Sequence, residues 1–600
     1  MTEVTCLRLA PVPKRLTRRE GVFRMPGQAY TYLYAEDPGL LLPAARKTGL
    51  GWPVTASPKG PKDQIGLVIR LDEAAGISAQ GYKLAVGPKR IEIESSTPVG
   101  AFYGACTLAQ ILRQSEDAIP CLAISDWPDL PARGVMLDIS RDKVPTMETL
   151  YHLVDLLSDW KINQLQLYTE HTFAYLAHPM VWEKASPITG EEIMALDEYC
   201  RSHFVELVPN QNSFGHMERW LKHDRYRPLA EAPNGCDTEW GHMSHPFSLC
   251  ATDRRSIRFL AGLYDELLPH FSSRLFNVGC DETIDLGRGR SRKACEERGT
   301  GRVYLDFLLD IYRLVTDRGR RMQFWGDIIT GYPELIPELP KDMIALEWGY
   351  KFDHPFAERC ARFSEAQVPF YVCPGASGWN SIVGRAENAV GNIANAAKNG
   401  LAQGTAGLLV TEWGDNGHWQ PLSVGYLGLM VGAMASWNVK ADLTRGLAEN
   451  LSLHAFQDLT GKTGQAFYDL GNLYLAFAKR TGNSSVPWQM LFSPIDDTAV
   501  VDGVRLSEFG DMERRLREIR AAVRGEKTTA PDADIVRAEL AHVIATCQLS
   551  ALIGKMKLGT PAPEDLPQRI NEVKRSHEEA WLLRNRPGGL SDSVARMKAG

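Results

Sequence analysis

The chain has 600 residues, 44% of them hydrophobic and 23% charged, with a formal net charge of -6. That length exceeds what one hydrophobic core organises, so two or three domains are expected. The slightly acidic balance provides no basic field for nucleic acid or an anionic membrane surface, which leaves a small neutral or polar ligand as the natural partner.

The chain opens on "MTEVTCLRLAPVPKRLTRREGVF", which lacks the apolar stretch of a secretory signal. No run reads as the roughly 18 apolar residues of a membrane helix, so a cytoplasmic protein with no membrane segment is expected. Eleven cysteines without framework spacing fit buried thiols better than disulfides. Up to residue 128 the pattern reads as a small α/β domain. "GYKLAVGPKRIEIESS" gives two strands about a turn, and "PVGAFYGACTLAQILRQ" gives a helix.

Residues 129–440 carry a different rhythm, in which short β-rich runs alternate with helical stretches. Eight strands are predicted, at 134–140, 162–168, 204–209, 275–279, 322–327, 343–349, 369–375 and 407–414. Segments such as "TMETLYHLVDLLSDW" and "VYLDFLLDIYRLVTD" recur at three and four and read as the intervening helices. Eight β/α units in this span predict a (β/α)8 TIM barrel. Residues 441–600 lose the strands and read as a C-terminal helical domain, whose apolar faces make a homodimer an expectation. Its "RNRPGGLSDS" reads as a helix stop at Pro587 and Gly588.

A TIM barrel works at the C-terminal ends of its strands, because side chains fill the interior and the βα loops form the roomy concavity. That rule collects Arg141 after strand one, Glu170 and His171 after strand two, and Asn210 and His216 after strand three. It adds Asp281 and Glu282 after strand four, Trp325 and Asp327 at strand five, Trp348 at strand six, Trp379 past strand seven, and Glu412, Trp413 and Asp415 at strand eight. Tryptophan beside carboxylates is what a sugar requires: a flat apolar face for the ring and acceptors for its hydroxyls. Phosphate chemistry would want glycine-rich loops, and none of the standard fingerprints is present.

In "NVGCDETIDLG" two acids stand side by side where a buried strand ends. Alternation would turn one of them into the core, unless the backbone leaves the strand and lets both reach the pocket. Glycoside cleavage needs a carboxylic acid for the leaving oxygen and a second group for the charge at the anomeric carbon. Mutual repulsion within the pair would separate the two pKa values and so the two tasks. Each residue also has a plainer reading: an acid pair at a helix start, an Arg141–Asp138 or Arg141–Asp142 structural pair, a core histidine, tryptophans of the core. The cluster Cys236, His242, His245 and Cys250 is the tightest metal-like group, but its spacing matches no standard zinc pattern, so no metal is expected.

At these residues the chain resembles glycoside hydrolase family 20, the β-N-acetylhexosaminidases. "GYKLAVGPKRIEIESSTPVGAFYGACTLAQIL" is similar to the family's accessory domain, "DWPDLPARGVMLDISR" to its entry into the barrel, "NVGCDE" to its strand-four motif, and "WGD" at 413–415 to its strand-eight Trp-x-Glu. The resemblance implies an exo-acting enzyme without cofactor, in which the substrate's own acetamido oxygen is the nucleophile and an oxazolinium ion forms. It implies Glu282 as general acid/base and Asp281 as the group that orients the acetamido. Arg141, Glu170 and Asp415 would bind hydroxyls, and Trp325, Trp348 and Trp413 would wall the sugar, with Trp379 nearby and Glu412 inward or bracing Arg141 or Trp413. His216 stands in "GHM" where the family has Gly-His-Thr. The chain departs from the family at Asn277 to Cys280, at "TEHTFAY", and in lacking the strand-seven Tyr-x-Asp that holds the acetamido carbonyl. A glycan-binding protein without turnover, and a glycosidase for a sulfated or longer glycan, are the alternatives these departures raise.

Overall fold

A computed structural model describes residues 7–56 and 64–598. The first six residues of the opening segment read above fall outside that range. Seven strands between Arg15 and Asp126 form one mixed sheet, more than the two strands predicted there. The predicted pair is present as Tyr82–Val86 and Ile91–Ser95, antiparallel. The outer strand Arg15–Arg24 was illegible because nearly all of it is exposed, which removes the alternation that marks a half-buried strand. Helix Pro98–Arg113, capped by Thr97, buries most of its length against this sheet. Its Gln110 also donates to the Asp159 carbonyl of the barrel, so it is a shared wall. Buried Asp126 ties the two parts together: it accepts from Tyr82 at 2.7 Å and from the Trp437 indole at 2.9 Å.

Eight parallel strands follow: Ala132–Asp138, Gln164–Tyr168, Glu206–Val208, Leu275–Asn277, Arg321–Trp325, Ile344–Trp348, Phe370–Cys373 and Gly407–Glu412. Strand eight pairs with strand one, and a parallel bridge between Asn210 and Asn277 joins strands three and four, which closes the barrel. Inward side chains from alternate positions, including Met136, Tyr168, Trp325, Leu346, Tyr371 and Leu409, fill the interior as a core of their own. The outward positions pack on the surrounding helices, among them Met147–Asp159 and Thr300–Thr316 close to where their periodicity placed them.

Beyond the barrel the chain is helical, with Leu506–Ala522, Ala533–Lys557 and Leu566–Arg584 as the long members. One of these corrects the expectation of no membrane-length apolar run: Ala533–Lys557 is long and apolar enough by length and composition to cross a bilayer, and 61% of its most apolar window is buried within the fold. It packs against both neighbouring long helices, which accounts for its hydropathy. The "RNRPGGLSDS" segment ends a helix at Arg584 as expected, and it also docks: Arg586 donates to the Val144 and Pro187 carbonyls and pairs with Glu192 at 2.8 Å. The ten described cysteines are unpaired, and all except Cys236 are buried.

Candidate active site

The strand-four loop answers how both acids leave the core. Gly279, Cys280 and Glu282 all take positive φ, at 68°, 72° and 48°, so the strand's alternation ends abruptly after Asn277. Such backbone is costly for non-glycine residues and persists only when its surroundings over-determine it. Here they do. The Gly279 amide donates to Asn277 Oδ1 and the Cys280 amide to Asn212 Oδ1, while Trp325 N donates to the Gly279 carbonyl at 2.9 Å. Tyr304 Oη donates to the Cys280 carbonyl at 2.9 Å, and the Glu282 amide to Asp327 Oδ2 at 3.0 Å. A Cβ on Gly215 would lie 2.4 Å from the Asp281 carbonyl oxygen, so only glycine lets the strand-three loop approach this closely.

His216, also at positive φ, stands between the two acids: its Nε2 lies 3.5 Å from Asp281 and 3.2 Å from Glu282, and its Nδ1 lies 3.8 Å from Glu170. Burial alone would lower the imidazole pKa, but Asp281, with Glu282 and Glu170, raises it well above the ordinary histidine range. Asp327, below the pair, is pushed up to about 8 by burial and by the charge of Asp281. The expectation that repulsion between Asp281 and Glu282 alone would divide their roles therefore gives way to a larger cluster, in which a cationic His216 and a protonated Asp327 set the local charge. One ligand atom each from His216, Asp281 and Glu282 falls within 4.8 Å of the others, the one group among the described residues with metal-ligand proximity. The same carboxylates that raise the imidazole's pKa favour its charged form, so His216 can itself place a positive charge between them.

Arg141 crosses the mouth of the barrel at the head of a carboxylate fan. Its guanidinium lies 3.0 Å from Asp138, 3.5 Å from Glu170 and 3.5 Å from Asp415, above the rings of Tyr168 and Trp413. Asp142, its other sequence candidate, pairs instead with His171 at 2.6 Å and Arg219 at 3.0 Å. Burial raises the Glu170 carboxyl, and it raises Asp415 to about 6 against the opposing effect of Arg141. Ser140, Arg141, Glu170, His216, Glu282 and Asp415 line the inner part of an open cavity of about 570 Å³. Asp281 is 5% exposed and sits behind that wall.

The tryptophans lie deeper than expected. Trp325 and Trp379 are fully buried and Trp413 nearly so, and none of the four forms the rim of the open cavity. They belong to the inner barrel layer, where Trp413 meets Trp325 at 6.0 Å and Tyr168 at 4.7 Å. Trp348 stacks on Tyr350 at 5.1 Å, and Trp379 meets the cluster edge-on through that tyrosine. Glu412 requires a correction. Its strand position points outward, where it accepts from Gln420 at 3.1 Å and packs over Gly378 and Gly425. Burial raises it to about 7, but it neither lines the cavity nor touches Arg141. The Cys236/His242/His245/Cys250 group is not assembled either: His242 pairs with Asp237 and His245 with Glu218.

Two family descriptions match the chain: Glycosyl hydrolase family 20, domain 2, over residues 7–127, and Glycosyl hydrolase family 20, catalytic domain, over residues 131–361. The chain belongs to glycoside hydrolase family 20. Its family 20 relatives are distant. It is 24% identical to lacto-N-biosidase of Bifidobacterium bifidum over 47% of this chain and 25% of that protein. It is 24% identical to a beta-hexosaminidase of Porphyromonas gingivalis over 54% of this chain and 46% of that one, so the match spans less than half the length of either relative. In shape it is similar to the Flavobacterium johnsoniae chitobiase, with a TM-score of 0.62 at 16% identity, over 96% of this chain and 99% of that one. This likeness in fold runs past residue 361, where the family match ends, into barrel strands seven and eight and the C-terminal helices.

Against the family pattern, two residues stand out that the sequence reading left off its site. Asp327 was noticed only as a strand end. Tyr350, the last residue of "EWGY", accepts from the Trp413 indole at 2.8 Å and feels the charge of Asp281. It occupies the barrel interior next to strand seven, whose own tyrosine motif this chain lacks. Its neighbours in sequence gave no sign of this; only the stacking on Trp348 and the bond from Trp413 do.

Proposed function

We propose that the protein is an exo-acting, retaining β-N-acetylhexosaminidase that removes terminal GlcNAc or GalNAc from oligosaccharides or glycoconjugates with assistance from the substrate's acetamido group. The observation that carries this reading is His216 held between Asp281 and Glu282 at the base of a cavity whose walls offer Arg141, Glu170 and Asp415 to sugar hydroxyls. The family membership and the hexosaminidase names of its relatives support it.

In this reading the acetamido oxygen attacks the anomeric carbon as the glycosidic C–O bond breaks. Glu282 delivers its proton to the leaving oxygen, and the buried Asp281 carboxylate stabilises the positive charge that develops on the acetamido nitrogen. Tyr350 takes the place of the absent strand-seven tyrosine and donates to the acetamido oxygen. Glu282, now anionic, accepts a proton from water, which attacks the same carbon and opens the oxazolinium ring. His216 spans Glu170 and Glu282, so it holds the cationic charge beside Glu282 when that carboxylate is unprotonated. Arg141 accepts no proton at any step; its fork binds hydroxyl oxygens while Asp415 accepts from a hydroxyl.

Glu282→Gln keeps the shape of the site and removes the proton. Turnover of GlcNAc glycosides with poor leaving groups is expected to fall about a hundred- to ten-thousand-fold, with a smaller loss for activated aryl glycosides. Parent-level turnover of both substrates in that variant would refute the assignment.

A further inference from the structure

The cavity has an outer half that the proposed chemistry does not use. Between barrel strands three and four, Cys236–Thr238 and Gly241–Met243 form a small antiparallel hairpin. Its tip is tied by Thr238 Oγ1, which donates to the Gly241 carbonyl and accepts from the Trp240 amide, with Gly241 at φ 101°. The hairpin places Trp240 in the cavity wall with 57% of its surface exposed. A lone exposed aromatic is ordinary, but this one stands in a continuous contact chain to the acid. Trp240 meets Phe247 edge-on at 6.0 Å, Phe247 meets His216 at 4.9 Å, and His216 lies 3.2 Å from Glu282.

The same outer wall includes Arg596, from the far end of the chain. Its stem lies over Gly417, where a Cβ would come within 2.9 Å of Arg596 Cγ, and its guanidinium has no ion-pair partner among the described residues. Arg219, the other arginine there, already faces Asp142 at 3.0 Å, and the His245 ring lies 3.4 Å from Glu218. A flat aromatic face beside an uncommitted five-donor fork, just outward of a proton donor, matches a pyranose ring with its hydroxyl acceptors. We infer that Trp240 and Arg596 form a subsite for the leaving-group sugar, so that the substrate is a disaccharide or longer glycan. This rests on the hexosaminidase reading of the inner cavity and names what lies on the other side of the scissile bond. It also assigns a role to the His/Cys segment: its histidines pair with acids to hold the hairpin and the cavity wall, and its tryptophan faces the substrate.

The test compares two probes. A GlcNAc disaccharide occupies both halves of the cavity, whereas GlcNAc-thiazoline, which imitates the oxazolinium ion and has no leaving group, occupies only the inner half. Trp240→Ala is expected to lower kcat/KM for the disaccharide about ten-fold, the equivalent of about 1.4 kcal/mol, while leaving the thiazoline Ki unchanged. Trp240→Tyr should recover most of the loss, and Arg596→Ala should show the same split. Unchanged disaccharide kinetics in Trp240→Ala, or an equal loss for both probes, would overturn the subsite while leaving the inner-site reading intact. A parent protein that neither hydrolyses the disaccharide nor binds the thiazoline would remove the hexosaminidase reading and this subsite with it.

Discussion

Asp327 shows how a single side chain sets the charge of its neighbours. Its carboxyl is raised to about 8, first by burial and then by Asp281, from about 4 in an unfolded chain. For a raised pKa the sign is fixed: the folded form keeps a proton that the unfolded form has released. The contribution to stability is therefore full below about pH 4 and is lost as pH rises through about 8. Asp327→Asn keeps an acceptor for the Glu282 amide and has nothing to titrate. Its melting temperature relative to the parent is expected to climb between pH 5 and about pH 8 and to level off above that in differential scanning calorimetry. A difference independent of pH would mean that Asp327 is ionised in the folded protein. Asp281 and Glu282 could be singled out in the sequence only by their setting: alone the pair reads as a helix start, but the barrel rhythm, the tryptophans at other strand ends and the "NVGCDE" motif mark it as a candidate site. Tyr350 could not be, because its role depends on a hydrogen bond from Trp413 in another strand.

At the scale of elements, the eight barrel strands could be read because each is a short β-rich run flanked by a helical period. Loops could not be read so well. The hairpin at 236–243 and the residues after it presented themselves as histidines and cysteines, and only folding shows that the histidines pair with Asp237 and Glu218 while Trp240 turns to the cavity. On the proposed mechanism, the strand-four loop is the element on which activity depends most. Gly279 takes φ 68°, and a Cβ there would sit 1.5 Å from Asn212 Oδ1, the atom that accepts the Cys280 amide. Gly279→Ala forces Asn212 aside and adds the left-handed strain of about 1–2 kcal/mol. Displacing the acid pair by an ångström is expected to lower kcat about a hundred-fold, with a reduced melting temperature. Steady-state kinetics on a GlcNAc glycoside checks it, and an alanine variant with parent kcat would show that the loop's conformation is not what aims the acids.

Over the whole molecule, the C-terminal helices hold the strand-eight loop that carries Asp415. Trp419 stacks on His577 at 3.8 Å and donates to the Ser593 carbonyl at 2.8 Å, while Ser593 Oγ donates to the Gly417 carbonyl. Buried Lys143 donates to the carbonyls of His418 and Gln420, and burial lowers its pKa to about 7. Periodicity revealed that these helices exist, but their docking on the catalytic face comes from long-range contacts that no local pattern encodes. Trp419→Ala removes the stacked ring from this junction, a change that costs about 3–5 kcal/mol in buried sites. It is expected to lower the melting temperature and to raise KM more than it lowers kcat, since Asp415 loses its support while Glu282 keeps its own. Unaltered KM would detach the C-terminal helices from substrate binding.

The central claim is that the nucleophile belongs to the substrate and that Asp281 and Glu282 manage the charge and the proton around it. Attack by the acetamido group followed by water gives two inversions at the anomeric carbon. Proton NMR of a fresh digest of a β-linked GlcNAc glycoside, recorded before mutarotation, reads the result directly. The account predicts that the β-anomer of free GlcNAc appears first, and first appearance of the α-anomer would contradict it.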